Sequence, residues 1–587
     1  MCKSDEILKS FTLTGYDYFR FVLKDEKIFA KKAHMSKVRL LEMTGKFEEV
    51  FYGKPKKILE KEVLPSYLST CRWFAGKARK IHDTEIMEDI VFSSSVTVTH
   101  ILLIKMTYSK GLPEMYLLPI SFANLPDSKS LLDDYPFAVI ANVKTGYGEG
   151  IIFDATYDDS FRRALLSFII KRKSIKGVNG QLSAFYERRM KHHGDSYYNI
   201  ESSQVLKADQ SNSSLLFEKK LIMKLFRKLE EGVNPDIELV RFIAEKDNGS
   251  PILKNIPVFM GSLEYKHNQL TEPIFIANLQ SYVQNEGDAW SYTTGNITRF
   301  YENILSSKAD AADIKVVHKS LLEVNYDNIP KILVELIGIR FLELVGVLGK
   351  TTADLHLTLA TDNNNPDFTP EPFSTLYQRS LYQSMQSMAK RNFALLRKNL
   401  KTLPEPVREQ SLHILEHEKN VLQVFRLFVD MKITASKIRI HGDYHLGQVL
   451  WKGNEFVIID FEGEPLRSLS GRRLKRSPLR DLAGMIRSLH YAPYSTLLKT
   501  SFFTQRDIQE LTPWADIWYF HISGIFLSSY LKAVGNPGFI PSDRVEFENL
   551  LRIFLLEKAV YELGYELNNR PQWLIIPLKG VEHILGI

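Results

Sequence analysis

The stretch Ile438–Glu462 constrains this chain more than any other. Apolar residues lead into His441-Gly442-Asp443, Gln448 follows five residues after the aspartate, and Phe456-Val457-Ile458-Ile459 makes a short strand ending on Asp460-Phe461-Glu462. One loop of this kind can aim a carboxylate at an attacking hydroxyl while an amide oxygen on the same loop holds a divalent cation. A second carboxylate, delivered by the strand, then bridges that cation to a phosphate chain. The spacing suits phosphoryl transfer, with Asp443 as the base and Gln448 and Asp460 as Mg2+ ligands. Each part has a bland alternative: His-Gly-Asp alone is a common turn, and Ile-Asp-Phe alone a common strand end. Their order and spacing carry the signal.

The upstream chain fits the same reading. Val205–Asp209 reads as a strand, Gln210–Ser214 as a polar turn, Leu215–Phe217 as a return strand and Leu221–Phe226 as a third strand holding Lys224. Asn234-Pro235-Asp236 opens a helix, Ile237–Lys246, that carries Glu238. Hairpin, strand lysine and helix glutamate follow one another as in the N-lobe of a kinase. On that reading Ser211, Asn212, Ser213 and Ser214 cover the ATP phosphates, and Lys224, steadied by Glu238, meets the α/β-phosphates. Gln280, Tyr282 and Val283 seat the adenine. From Ile297 onward the pattern is mostly helical.

Several other stretches invite function and receive a plainer reading. Thr145–Gly150 is glycine-rich, but a strand-like run follows it, so it is read as a hairpin turn. Gly349-Lys350-Thr351 lacks the glycine a phosphate loop needs five residues earlier, where Leu344 stands, so a packed helix with a structural His356 is expected. The basic run Arg467–Arg480 is read with equal weight as a solvated loop or as a border to the phosphates. Tyr565, Glu566 and Trp573 combine flat aromatic and acidic groups at helical spacing, the mixture sugar sites use.

The chain of 587 residues has room for several domains, and 44% hydrophobic with 25% charged residues is ordinary for a globular protein. A net charge of +7 with interleaved acids and bases argues against a nucleic-acid partner. Two cysteines, Cys2 and Cys71, build no disulfide framework. The most apolar long run, Ile332–Leu348, is broken by Glu335, Arg340 and Glu343. With no signal-peptide core at the N-terminus, a cytoplasmic protein with no membrane partner is expected.

Glu462 stands where protein kinases place the Gly of Asp-Phe-Gly, and His441-Gly442-Asp443 lacks their His-Arg-Asp arginine. Both departures point to kinases of small molecules, similar to the aminoglycoside phosphotransferases. Longer motifs draw the resemblance closer to maltokinase: Arg72-Trp73-Phe74-x-Gly76-Lys77, Gly232-Val233-Asn234-Pro235-Asp236, Gly287-Asp288-Ala289-Trp290, His441 to Gln448, Asp460 to Pro465, and Asn569-Arg570-Pro571-x-Trp573. The resemblance covers roughly residues 58–587. It implies an α+β, bilobal protein-kinase-like fold with a β-rich N-terminal cap subdomain and a mostly α-helical C-lobe. The divisions expected are 1–57 as an N-terminal extension, 58–135 as the cap, 136–285 as the N-lobe and 286–587 as the C-lobe. The implied reaction is ATP- and Mg2+-dependent phosphorylation of maltose to maltose 1-phosphate, feeding α-glucan synthesis. His441, Tyr444, His445, Glu462, Tyr565, Glu566 and Trp573 are expected on the sugar side. Residues 1–50 resemble the tail of a trehalose synthase β-domain, which makes that enzyme a candidate partner. Two alternatives stand beside this: a kinase of amino sugars or aminoglycosides, and a non-catalytic partner of trehalose synthase.

Overall fold

Long runs of alternating apolar residues build the N-terminal half. A computed structural model describes residues 38–587, apart from 94–97, 126, 188–199, 207–210, 247–250, 308, 315–319, 362–363, 466 and 500–502. The first sheet holds β1 (Leu40–Glu42), β2 (Ile81–Ser93), β3 (Val98–Tyr108), β4 (Glu114–Asn124), β5 (Val139–Thr145) and β6 (Gly148–Asp154) in the order β1-β5-β6-β4-β3-β2. Leu102, Ile104, Met106, Leu118 and Ile120 turn one face of it into a core closed by Leu64, Tyr67, Leu68 and Phe74. Fully burying such a side chain stabilises by roughly 1.5–3 kcal/mol. Thr145–Gly148 is the β5–β6 hairpin turn expected there.

Two boundaries shift. Leu40–Glu42 pairs in parallel with β5, so part of the expected extension is a cap strand. Strands β5 and β6, expected in the N-lobe, also complete this sheet, because β6 pairs with β4. The expected elements of residues 1–37 lie outside the described residues.

A second sheet has β7 (Ser174–Lys176), β8 (Gly180–Tyr186), β9 (Ser203–Val205), β10 (Asn212–Phe217), β11 (Leu221–Phe226), β13 (Phe259–His267) and β14 (Ile274–Ser281), while the short β12 (Lys228–Leu229) joins β4. Its order is β7-β8-β13-β14-β11-β10-β9. Buried polar groups lock the two sheets together. Glu88 of β2 accepts hydrogen bonds from the backbone N–H groups of Val178 and Asn179 and from the Tyr265 hydroxyl. Arg227, fully buried, donates to Asp154 at 2.8 Å, Thr156 at 2.9 Å and Ser213 at 2.8 Å. Deleting one partner of so buried an ion pair costs about 3–5 kcal/mol.

The described residues form two compact units, 38–233 with 260–282 and 234–259 with 283–587. The second unit is mostly helical. Leu479–Lys499 is its centre, buried nearly all round, as a helix enclosed by other helices must be. Ile339–Leu359 and Gln505–Val534 pack closely where Gly349 faces the Phe526 carbonyl; a Cβ there would sit at 2.4 Å. That close crossing explains the glycine at 349, and the packed helix expected there is present. Glu405–Glu416 and Glu418–Asp430 are consecutive helices separated by a break at His417. Two small ladders complete the unit: β15 (Glu371–Pro372) with β16 (Ser436–Lys437), and β17 (Val449–Trp451) with β18 (Phe456–Ile458). Among the described residues no helix is long and apolar enough to cross a membrane.

Candidate active site

The loop His441–Gln448 is held by its backbone. Asp481, near the start of the central helix, accepts the N–H groups of His441 at 2.8 Å and Gly442 at 2.9 Å. His356 reaches the same carboxylate at 3.2 Å and the Tyr530 hydroxyl at 2.9 Å, so it is the structural histidine expected. Burial works to raise the pKa of Asp481, but His356, His441 and the Gly442 N–H outweigh it and hold the carboxyl below its ordinary value. Gly442 has φ +86°, open to glycine at little cost. Gly484 lets the central helix approach the loop, since a Cβ there would meet the Tyr444 carbonyl at 2.5 Å.

This anchoring corrects two expected sugar contacts. His441 is 1% exposed, and its ring nitrogens are used by the Ile459 carbonyl and the Asp443 N–H. Tyr444 is 2% exposed and its hydroxyl meets Thr352 at 2.8 Å. Both brace the loop from inside. His445 differs, because it lines an open cavity. Its Nδ1 accepts the Gly447 N–H, which leaves Nε2–H 4.0 Å from Asp443. Burial, followed by Lys558 and His441, lowers the His445 pKa against the opposing pull of Asp443 and Asp460.

The β17–β18 hairpin brings Gln448 and Asp460 together, with the amide nitrogen 2.7 Å from the carboxylate. Asp460 takes φ +65°, a conformation that is costly for a non-glycine residue and concentrates at functional sites. The Phe461 N–H that follows donates to Asp236 at 2.9 Å. Carboxylate oxygens of Asp236, Asp460 and Glu462 all lie within 4.8 Å of one another. A set of hard oxygen donors this close fits Mg2+. Glu462, expected beside the sugar, belongs to this cluster. Asp236 was legible only as a helix-start residue, because nothing in its local spacing links it to a turn 225 residues away.

Glu238 sits on the same helix, Pro235–Glu245. Its carboxylate is gripped by Arg439, two residues before His441, at 2.7 Å and by Arg473 at 2.6 Å. Burial opposes ionisation of Glu238, and these arginines overcome it. The basic run divides between internal pairing and the border reading, since Arg472 donates to the Glu462 carbonyl at 3.4 Å, beside the carboxylate cluster. Arg467 pairs with Glu464, Lys475 with Glu371 and Arg480 with Glu557, so these cations are clamps within the helical unit.

In the first unit, Lys224 lies on β11, in register with Ser214 of β10 and Asn278 of β14. The expected phosphate turn moves towards the N-terminus. Leu206 N–H already donates to the Ser214 carbonyl, so β9 and β10 are paired there and the connection runs from 206 to 211. Asn212 and Ser213 are strand residues, 6% and 5% exposed, and Ser213 is committed to Arg227; neither covers a phosphate from a turn. Ser211 stays in the connection, whose residues 207–210 lie outside those described. Gln280 ends β14, and the Tyr282 N–H donates to the Lys220 carbonyl at 2.8 Å. Val283 begins the following segment of the second unit.

Asp443 opens on a cavity of about 580 Å³ formed wholly by the second unit. Tyr565, Glu566 and Trp573, distant in sequence, line it together with Asp443 and His445. Two residues the sequence did not single out stand at its floor and rim: Lys558, with Nζ 3.6 Å from Asp443, and Lys499, over the Trp573 ring at 4.9 Å. Both are ordinary exposed-type lysines on helices, and only the fold brings them here.

Residues 67–158 match the model of the Maltokinase N-terminal cap domain. A glucosamine kinase of Mycolicibacterium smegmatis is 21% identical over 379 residues, 64% of this chain and 78% of that protein. Another, from Streptacidiphilus jiangxiensis, is 23% identical over 148 residues, 25% of this chain and 32% of that protein. A solved glucosamine kinase, in complex with glucosamine, ADP and inorganic phosphate, superposes with TM-score 0.55 at 13% identity, covering 88% of this chain and 97% of its own. A second crystal form of glucosamine kinase gives 0.57 at 14% identity, over 87% and 96%. At 13% and 14% identity, these two superpositions show that the chain shares its α+β fold with the glucosamine kinase structures. More particularly, residues 67–158 form a cap of the maltokinase type.

Proposed function

We propose that this protein is a sugar kinase that transfers the γ-phosphoryl group of ATP to the anomeric hydroxyl of maltose, giving maltose 1-phosphate. One observation carries the reading: Asp443, five residues before Gln448, opens into a cavity walled by Trp290, Tyr491, Tyr565 and Trp573. Flat aromatic faces suit pyranose rings, and a base at the cavity floor suits a hydroxyl presented there. Asp443 accepts the hydroxyl proton as the sugar oxygen bonds to the γ-phosphorus and the bond to the β,γ-bridging oxygen breaks. His445, neutral, directs its Nε2–H toward Asp443 and steadies it. Lys224 contacts the α/β-phosphates, with Ser211 over the phosphates and Gln280–Val283 at the adenine, while Glu238 is taken up by Arg439 and Arg473. Gln448, Asp460 and Glu462, with Asp236 behind them, would hold Mg2+, which when bound neutralises charge on the phosphates. Supply of the product to α-glucan synthesis and a partnership with trehalose synthase belong to the same reading.

A second reading, a glucosamine kinase, is favoured by the curated relatives. Incubation with ATP, Mg2+ and either maltose or glucosamine, with product identification by mass spectrometry and NMR, separates the two. Maltose 1-phosphate as the main product is expected. Phosphorylation of glucosamine alone would replace the reading with the second.

A further inference from the structure

The cavity beside Asp443 has an unusual charge balance for a site that would take an amine. Four carboxylates stand on its wall, and each is answered by a cation of the same unit. Glu566 accepts two hydrogen bonds from Arg570, at 2.7 and 2.9 Å, and one from Tyr491 at 3.2 Å. Glu562 is matched by Arg487 at 2.7 Å, in a pair both of whose members are buried. Glu464 is matched by Arg467 at 2.6 Å, and Asp443 lies 3.6 Å from Lys558. Lys499 is left over. Among the described residues no carboxylate lies within ion-pair distance of it, and its Nζ stands over the rings of Trp573 at 4.9 Å and Trp290 at 5.8 Å. The Arg570 guanidinium also lies over Trp573, at 4.4 Å.

A sugar hydroxyl needs only hydrogen-bond donors and acceptors, which these paired groups still offer. A sugar ammonium needs more. It loses hydration on entry and must regain it from an uncommitted carboxylate. Here it would have to displace a guanidinium from a bidentate pair, or sit near Lys499 and Lys558. We infer that this pocket selects neutral sugars and rejects amino sugars, with the Arg570–Glu566 pair and Lys499 as the residues that set this preference. The inference rests on the cavity being the acceptor site of the proposed kinase, but not on the acceptor being maltose.

Glucose and glucosamine differ only in a hydroxyl or an ammonium at one carbon, so they isolate the effect. Full-length protein is titrated with maltose, glucose and glucosamine by calorimetry near pH 7, and kcat/KM with ATP and Mg2+ is measured for each. Neutral sugars are expected to outperform glucosamine at least 100-fold in kcat/KM and to bind where glucosamine does not. Raising the pH, which deprotonates glucosamine itself, should narrow the gap. Arg570→Gln releases Glu566 and should raise the glucosamine-to-glucose ratio tenfold or more. Lys499→Glu should raise it too, and serves if Arg570→Gln does not fold. Glucosamine binding or turnover equal to that of glucose in the wild type overturns the inference, and so do unchanged ratios in both variants. If glucose binds and reacts but maltose does not, the inference stands and the maltose reading falls.

Discussion

The loop that carries Asp443 and the cavity wall lie side by side in one unit, but they are held by different means. The backbone of the loop from His441 to Gln448 is held by Asp481, and the turn at Phe461 by Asp236, both carboxylates on distant helices. The wall is fixed by side chain against side chain, in the pairs Glu566–Arg570, Glu562–Arg487 and Glu464–Arg467. This anchoring depends on Asp481, with His441 and Tyr444 bracing the loop from inside. Side-chain pairing can be exchanged residue by residue, which makes the wall the part of such a site that can change substrate while the loop keeps its chemistry.

The comparison can be broken most directly at the loop. Asp443→Asn should retain ATP binding, followed by fluorescence titration, and lower kcat by about 10³-fold, the range of general-base catalysis. A rate within tenfold of wild type would remove Asp443 from the base role. Asp460→Ala should cost at least 10²-fold in kcat/KM and raise the Mg2+ concentration needed for half-maximal rate, since the metal and positioning carry most of phosphoryl transfer. Unaltered metal dependence would count against it.

Asp481 tests anchoring itself. Asp481→Ala leaves two backbone N–H groups and His356 without their shared acceptor and should destabilise by about 3 kcal/mol, read from urea unfolding. Its folded pKa lies below the ordinary carboxylate value of about 3.9, so the unfolded state binds more protons in between. This contribution is therefore complete above that value and is lost as the pH falls through the folded pKa. An acid limb of the stability profile unchanged in Asp481→Asn would show that the anchor contributes little.

Asp236 offers a finer cut. If it acts by accepting the Phe461 N–H, Asp236→Asn should keep the rate within about threefold while Asp236→Ala loses about tenfold, the worth of one or two hydrogen bonds. Equal damage in both variants would assign it to the metal instead. On the wall, Glu566→Gln should change the sugar KM by only a few-fold at constant kcat, because a pairing group is lost and no reacting one.

The sequence made the two regions unequally legible. Asp443, Gln448 and Asp460 are neighbours within 18 residues, so their joint chemistry could be read from spacing. Strand Leu221–Phe226 with Lys224 and the helix after Asn234 were equally clear, because period and capping are local signals. What escaped was long-range. Asp481 acts on the loop, and Asp236 on the turn at Phe461, from elements whose local pattern describes only a helix start, and Lys558 has no local feature that sets it apart. The pairing in the basic run was not legible because its partners, Glu238, Glu371 and Glu557, are scattered over more than 300 residues. His441 and Tyr444, expected on the sugar side, turn inward because neighbours in an irregular loop point to opposite sides of it.

The route of the chain between the units has a consequence for synthesis. It leaves the first unit at residue 233, returns at 260 and leaves again after 282. Strands β13 and β14, made on that return, stand in the middle of the second sheet, between β8 and β11. Until about residue 282 has left the ribosome, β8 and β11 each present an open edge, the kind of surface that pairs with other chains. No single cut therefore yields the first unit alone: a fragment ending at 233 has its cap sheet but two unjoined pieces of the second, and should be aggregation-prone where a fragment ending at 282 has every strand it needs.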